Sequence, residues 1–196
     1  MYFYIALVAV LNMGTYPYYI KIMKSLTVYT LGRGNLTFEG LVDVLKKFSI
    51  KTIVDVRMDS ESDGEPSFRH EWLRGGLMKE GMIYHWAIMQ LGGIRPVVGN
   101  SRHTALKEEN LKGFADFMDS DNFQRGLGKL KNISDDSFLL LGDSDMPEKC
   151  HRSLISDYLV FREITVLHIL KSGKTEAHVL RSAARPEGNF LIYDRS

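Results

Sequence analysis

Apolar positions along most of the chain alternate between two periods, and the alternation predicts the fold. "LTVYTL" (Leu26 to Leu31) is a β-branched and aromatic run that reads as a strand. "TFEGLVDVLKKF" follows, with Phe38, Leu41, Val42, Leu45 and Phe48 on one helical stripe. "KTIVDV" (Lys51 to Val56) predicts a second, buried strand. "RHEWLRGGLMKEG" predicts a helix with Trp72, Leu73 and Leu77 turned inward and a stop at Gly81. The rhythm continues with a third strand at "MIYHWA", helices at "LKGFADFM" and "NFQRGLGKLKNI", and a fourth strand at "SFLLLG". A helix at "HRSLISDYLVFR" follows, striped by Leu154, Ile155, Tyr158 and Leu159, and then a fifth strand at "ITVLHIL". Strands separated by helical segments need crossover connections. The expected class is therefore α/β: three layers, a mostly parallel sheet of about five strands flanked by helices on both faces.

The two ends depart from this rhythm. Residues 1–23 form an apolar N-terminal extension whose run from Tyr2 to Leu11 is about half the roughly 20 residues that span a bilayer. Three readings of it stay open: an extra element packed on the domain, an upstream start with Met23 as the true initiator, or a weak membrane or signal segment without a basic lead. Residues 24–170 are expected to be a single α/β domain. Beyond Leu170 the periodicity fades, so 171–196 is expected to be a loosely ordered tail with one short strand at "NFLIYD".

Composition narrows the partners. Lys and Arg number 25 against 24 Asp and Glu, so no global field draws the chain to nucleic acid or to an anionic membrane. Lys171, Lys174, Arg181 and Arg185 make a thin basic stripe that reads as a solvated face, leaving nucleic acid possible but not indicated. One cysteine cannot form an internal disulfide, and the default compartment is a reducing cytoplasm. His70, His85, His103 and His168 lack metal spacing, so no metal and no cofactor are expected. Asp59, Glu61 and Asp63 before Gly64 resemble the opening of a calcium loop, but His70 stands where its closing glutamate belongs. A solvated loop is the preferred reading.

In an open parallel sheet, ligands bind outside the carboxyl ends of the strands. Those ends carry the unusual stretches: "GRGN" with Gly32, Arg33 and Asn35; "DVR" with Asp55 and Arg57; "QLGGIRP" with Gly92, Gly93 and Arg95; and "GDSDMPEKCHR" with Asp143, Cys150, His151 and Arg152. Arg33, Arg57, Arg95 and Arg152 are expected to converge on a small anionic ligand. If a helix begins near Cys150, its free N–H groups favour a thiolate. A lone cysteine beside a helix is, however, more often a small buried hydrophobe. Cys150 and His151 would also point about 100° apart on that helix. Asp55 and Arg57 share one face of their strand end, either as a buried pair or as a general base beside an anion clamp.

These segments in this order, "YTLGRGN", "VDVR", "SFRHEWL", "GMIYHWAIMQLGG", "FADFM", "CHRSLISDYL" and "VLHIL", resemble the family called domain of unknown function 488, across roughly Thr27 to Leu170. The resemblance implies a compact α/β domain with a site around the Cys-His-Arg segment. It points to Gly32, Asn35, Asp55, Arg57, Gly92, Gly93, Cys150, His151 and Arg152. Arg33 and Gly34 stand where such proteins carry histidine and serine, and Asp143 stands near a customary glutamate. The loop "MDSESDGEP" is acidic where the family tends toward proline, serine and basic residues.

Two functions from different classes follow. One is a hydrolase or transferase acting on a small phosphorylated or nucleotide-like substrate, with Cys150, His151 and Asp55 as catalytic groups. In it Gly32, Arg33, Asn35, Arg57, Gly92, Gly93, Asp143 and Arg152 bind the substrate. The other is a non-catalytic module that holds a nucleotide, a nucleic-acid end or another anion in the same cleft. Sulfur transfer ranks below both, because "CHRSL" does not reproduce the multi-residue loop of rhodanese-like domains.

Overall fold

The computed structural model describes residues 26–60, 63–130, 132–134 and 136–195. The expectations for the extension 1–23, and for Glu61 in the acidic loop, lie outside the described residues. Strands β1 (Thr27–Gly32), β2 (Thr52–Asp55), β3 (Ile83–Trp86), β4 (Ser137–Gly142) and β5 (Thr165–Ile169) pair in parallel in the order β3-β2-β4-β1-β5. Helices α1 (Phe38–Lys47), α2 (His70–Lys79), α3 (Ile88–Leu91), α4 (Glu109–Met118), α5 (Asp121–Leu130) and α6 (Arg152–Phe161) fill the connections.

The strands alternate their side chains between two apolar layers, as a period of two requires. Ile53, Leu139 and Leu141 face Leu41 and Leu45 of α1 and Leu73 and Leu77 of α2. Val28, Val54 and Leu140 face Phe114 of α4, Phe123 of α5 and Leu154, Ile155 and Tyr158 of α6. β4 lies between β2 and β1 with both faces covered, which explains its unbroken apolar run. The three-layer expectation holds.

Three details differ from the sequence reading. Trp72 is 71% exposed, because only Leu73 and Leu77, one helical turn apart, face the sheet. A sixth strand, β6 (Thr175–Ala177), adds antiparallel to β5 at the sheet edge. In the tail the short strand expected at "NFLIYD" is β8 (Phe190–Tyr193), and it forms a hairpin with an unexpected β7 (Ala184–Glu187), turned through Gly188 and Asn189 with Gly188 at φ +60°. Its Ala184, Leu191 and Tyr193 are buried in the α4–α6 layer.

A chain of hydrogen bonds fastens this segment to the sheet. Thr30 of β1 and His168 of β5 lie in register, with Oγ1 and Nδ1 2.6 Å apart. His168 Nε2 lies 2.8 Å from His178 Nδ1, and His178 Nε2 lies 2.9 Å from Asp157 Oδ1. Asp157, wholly buried in α6, also accepts from the Tyr193 hydroxyl at 3.1 Å and pairs with Arg181 Nε at 3.3 Å. The partners assign the tautomers: His178 donates through Nε2 to the carboxylate, His168 donates through Nε2 to His178, and Thr30 donates to His168. All four ring nitrogens are occupied.

Candidate active site at the carboxyl edge of β4

β4 ends at Gly142 between the carboxyl ends of β1 and β2, and the chain returns to the same place at the start of α6. A 3-10 turn (Pro147–Lys149) delivers Cys150 in an extended conformation (φ −121°, ψ 137°), and His151 is already helical (φ −55°, ψ −22°). Because Cys150 precedes the helix, the 100° rule for neighbouring helical residues does not separate the two side chains. Cys150 Sγ lies 3.9 Å from His151 Nδ1.

The other ring nitrogen fixes the imidazole. His151 Nε2 lies 2.5 Å from the carbonyl oxygen of Val56, just past β2, and donates its hydrogen there. That tautomer leaves the Nδ1 lone pair facing the thiol. Phe114 packs against the ring at a centroid distance of 4.6 Å. Asp143 completes the group: its Oδ2 accepts the Met58 N–H at 2.9 Å, and one ligand-type atom from each of Asp143, Cys150 and His151 lies within 4.8 Å of the others.

The electrostatics follow from this packing. Burial by itself would raise the Cys150 thiol. The hydrogen bond and charge of His151, the charge of Arg152 and the Arg152 backbone N–H outweigh burial and bring the thiol from 9.0 down to about 6. Burial pushes the Asp143 carboxyl up, against the Met58 N–H and the charges of His151 and Arg57. The thiolate form is thereby favoured, beside a carboxyl that burial holds above its ordinary value. Cys150 itself is only 4% exposed.

Gly142 makes the arrangement possible. A Cβ there would stand 2.7 Å from Arg152 Cδ and 2.8 Å from Cys150 Sγ. Gly142→Ala is expected to destabilise the fold by about 1–3 kcal/mol through overpacking. Urea denaturation checks this, and a loss below 0.5 kcal/mol would show that the pocket floor yields freely.

The other sequence candidates gather at the same rim in different roles. Arg33 and Gly34 donate backbone N–H groups to Gly142 and Asp143 carbonyls at 2.7 and 2.9 Å. Gly32 packs on the Ser144 backbone, and Gly92 packs on the carbonyls of Val56 and Arg57, where any side chain would collide. Asn35 lines a separate cleft with Leu36, Lys171 and Gly173. Gly93 sits at φ +81° beneath the Arg95 guanidinium.

The expected convergence of four arginines on an open ligand is replaced by internal bonds. Arg57 is buried and grips Asp55 with Nε–Oδ1 2.9 Å and NH2–Oδ2 2.7 Å; it also reaches Asp63 at 3.0 Å and the Phe68 carbonyl at 2.7 Å. Tyr84 donates to the same Asp55 carboxylate at 2.7 Å. Burial opposes the Arg57 charge, but the hydrogen bond and charge of Asp55 prevail and hold its pKa above the ordinary value. Of the two readings of "DVR", this is the geometry of the buried pair. Arg33 binds Asp63, which serves as an internal counterion to both Arg33 and Arg57. Arg95 NH2 donates to the carbonyls of Ile88, Met89 and Gly92. Arg152 donates through NH1 to Ser144 O at 2.5 Å, but its Nε is buried without a hydrogen-bond partner among the described residues.

Sequence reasoning missed Asp157, His168, His178 and Tyr193, whose contacts join segments far apart in the chain. The register of Thr30 opposite His168 leaves no local signal. Among the described residues, no helix is long and apolar enough to cross a membrane. The sequence profile described as "Domain of unknown function DUF488" matches residues 37–159, more than half of the chain and the whole of the Asp143–Cys150–His151 region. No curated protein and no solved structure matches.

Proposed function

Since the chain belongs to the family described as Domain of unknown function DUF488, whose description names no reaction, we propose from the site geometry that it is a thiol-dependent hydrolase or transferase acting on a small anionic substrate. The observation that carries this reading is the Cys150–His151 contact, with Nδ1 aimed at the sulfur because Val56 holds Nε2. In the proposed reaction the Cys150 thiolate attacks the electrophilic centre, forming a bond to sulfur while the bond to the leaving group breaks. His151, which takes the thiol proton at Nδ1, gives it to the leaving group. Water or an acceptor then attacks the covalent intermediate and loses a proton to His151 Nδ1, and the thiolate departs. The unpartnered Arg152 Nε is the donor available to an anionic oxygen of the substrate. The groove lined by Arg33, Gly34, Glu65 and Asp143 is the proposed route of entry toward the buried sulfur.

Asp55 is assigned no proton transfer in this scheme, because its carboxylate is held by Arg57 and Tyr84. The test is a panel of small phosphoesters, carboxylic esters and thioesters, read by turnover and by the intact mass of the protein. A covalent adduct on the single cysteine, with turnover lost at least 10³-fold in Cys150→Ser, is the expected result. Turnover that survives Cys150→Ser, or no adduct and no turnover across the panel, rejects the reading.

A further inference from the structure

The same three side chains have a second property that the nucleophilic reading does not use. A thiol, an imidazole and a carboxylate are the ligand types of protein zinc sites, and here one atom of each lies within 4.8 Å of the others. We propose that Asp143, Cys150 and His151 form a three-ligand site for Zn²⁺, with the fourth position open toward the groove lined by Arg33, Gly34, Asp63 and Glu65.

Tetrahedral zinc with bonds of about 2.0–2.3 Å holds its ligand atoms about 3.3–3.6 Å apart. The Cys150 Sγ to His151 Nδ1 separation of 3.9 Å closes to that value with a shift of a few tenths of an ångström. The surroundings are arranged as outer-sphere support. A ligating histidine commonly donates its other N–H to a backbone carbonyl, as His151 Nε2 does to Val56. The Met58 N–H orients Asp143 through Oδ2, leaving Oδ1 for the metal. Gly142 keeps the floor beneath the sulfur clear.

The donor set excludes the hard cations. Calcium and magnesium take six or more oxygen ligands or retain a water shell, whereas one S, one N and one O donor suit zinc. Elsewhere, His168 and His178 have both ring nitrogens hydrogen-bonded within their chain, so they do not compete as a site. The inference uses the residues of the nucleophilic reading without depending on it. A metal on Cys150 Sγ occupies the lone pair that would attack a substrate, so zinc and thiol chemistry exclude each other at this site.

The experiment strips the full chain with a chelator, then titrates Zn²⁺ against a chromophoric competitor. One Zn²⁺ per chain is expected to bind with a Kd of about 1 µM or tighter, weakened at least about 10–100-fold by Cys150→Ser and by the near-isosteric Asp143→Asn. Co²⁺ added to the unaltered protein is expected to give tetrahedral d–d bands and a thiolate-to-cobalt charge-transfer band, a readout that needs no variant to fold. Absence of stoichiometric Zn²⁺ binding, equal binding by Cys150→Ser, or a Co²⁺ spectrum without the thiolate band overturns the proposal. If Zn²⁺ binds with these signatures while no substrate adduct ever forms, the metal site stands and the enzymatic reading falls. Adduct formation that is indifferent to saturating Zn²⁺ has the opposite meaning.

Discussion

Arg57→Ala is expected to lower the free energy of unfolding by about 3–5 kcal/mol, the usual cost of stranding one member of a buried ion pair. The lost guanidinium leaves Asp55 buried with, among the described residues, only the Tyr84 hydroxyl and the residue 57 backbone N–H as donors. It also orphans the Phe68 carbonyl. Asp63 keeps Arg33, so the deficit concentrates at Asp55. Asp55→Ala is expected to cost a similar amount, because it leaves a buried cation. The double variant Asp55→Ala/Arg57→Ala is expected to lose less than the sum of the two, since it leaves no uncompensated charge. Chemical denaturation of the three proteins completes the cycle. Full additivity, or a loss under 1 kcal/mol for Arg57→Ala, would show that the pair is not coupled as its geometry indicates. In that case Arg57 would be free to act on a ligand after all.

Acidification is expected to unfold the protein through His168. Burial, followed by the charges of His178 and Arg152, lowers this imidazole from 6.5 to about 4. The unfolded chain therefore takes up the proton first. Stability from this residue is complete above pH 6.5, falls as the pH drops, and is gone below about pH 4. A shift of that size amounts to about 3 kcal/mol, a sizeable share of a domain's total stability. The physical event is a positive charge forced into the buried Thr30–His168–His178–Asp157 chain beside Arg152. Unfolding curves recorded between pH 7.5 and pH 4 test it. Other groups also titrate in this window, so the diagnostic comparison is with His168→Gln, whose stability is expected to fall less steeply. Identical slopes for the two proteins would remove His168 as the acid-sensitive group.

The two layers of the fold were legible because each strand and helix announces its period locally. Leu139, Leu140 and Leu141 in β4 needed no partner to be read as a strand, and the pairing with β2 and β1 shows both of its faces covered. The miss at Trp72 arose because an aromatic beside Leu73 looks apolar to a periodicity count, while the sheet admits only one face of α2. At the end of the chain the strand at "NFLIYD" was legible and is β8, whereas its hairpin partner β7 was missed for another reason. Pro186 breaks the β pattern, and the Gly188-Asn189 turn was not weighed against the buried Leu191 and Tyr193 it brings under α6. A turn signal flanked by short runs was available there, but propensity alone could not rank it.

At the site, residue types were legible and their alliances were not. The sequence alone determined that glycines, a carboxylate-arginine pair and the only cysteine would stand at strand ends, because strand periodicity and helix starts are set by near neighbours. Only the tertiary structure decided that Arg57 closes on Asp55 instead of facing a ligand, that an extended Cys150 turns its sulfur toward His151, and that Asp143 joins them. Those outcomes depend on carbonyls and carboxylates brought in from β2, β4 and the loops beside them, and contacts between distant segments are fixed by packing that no local pattern records.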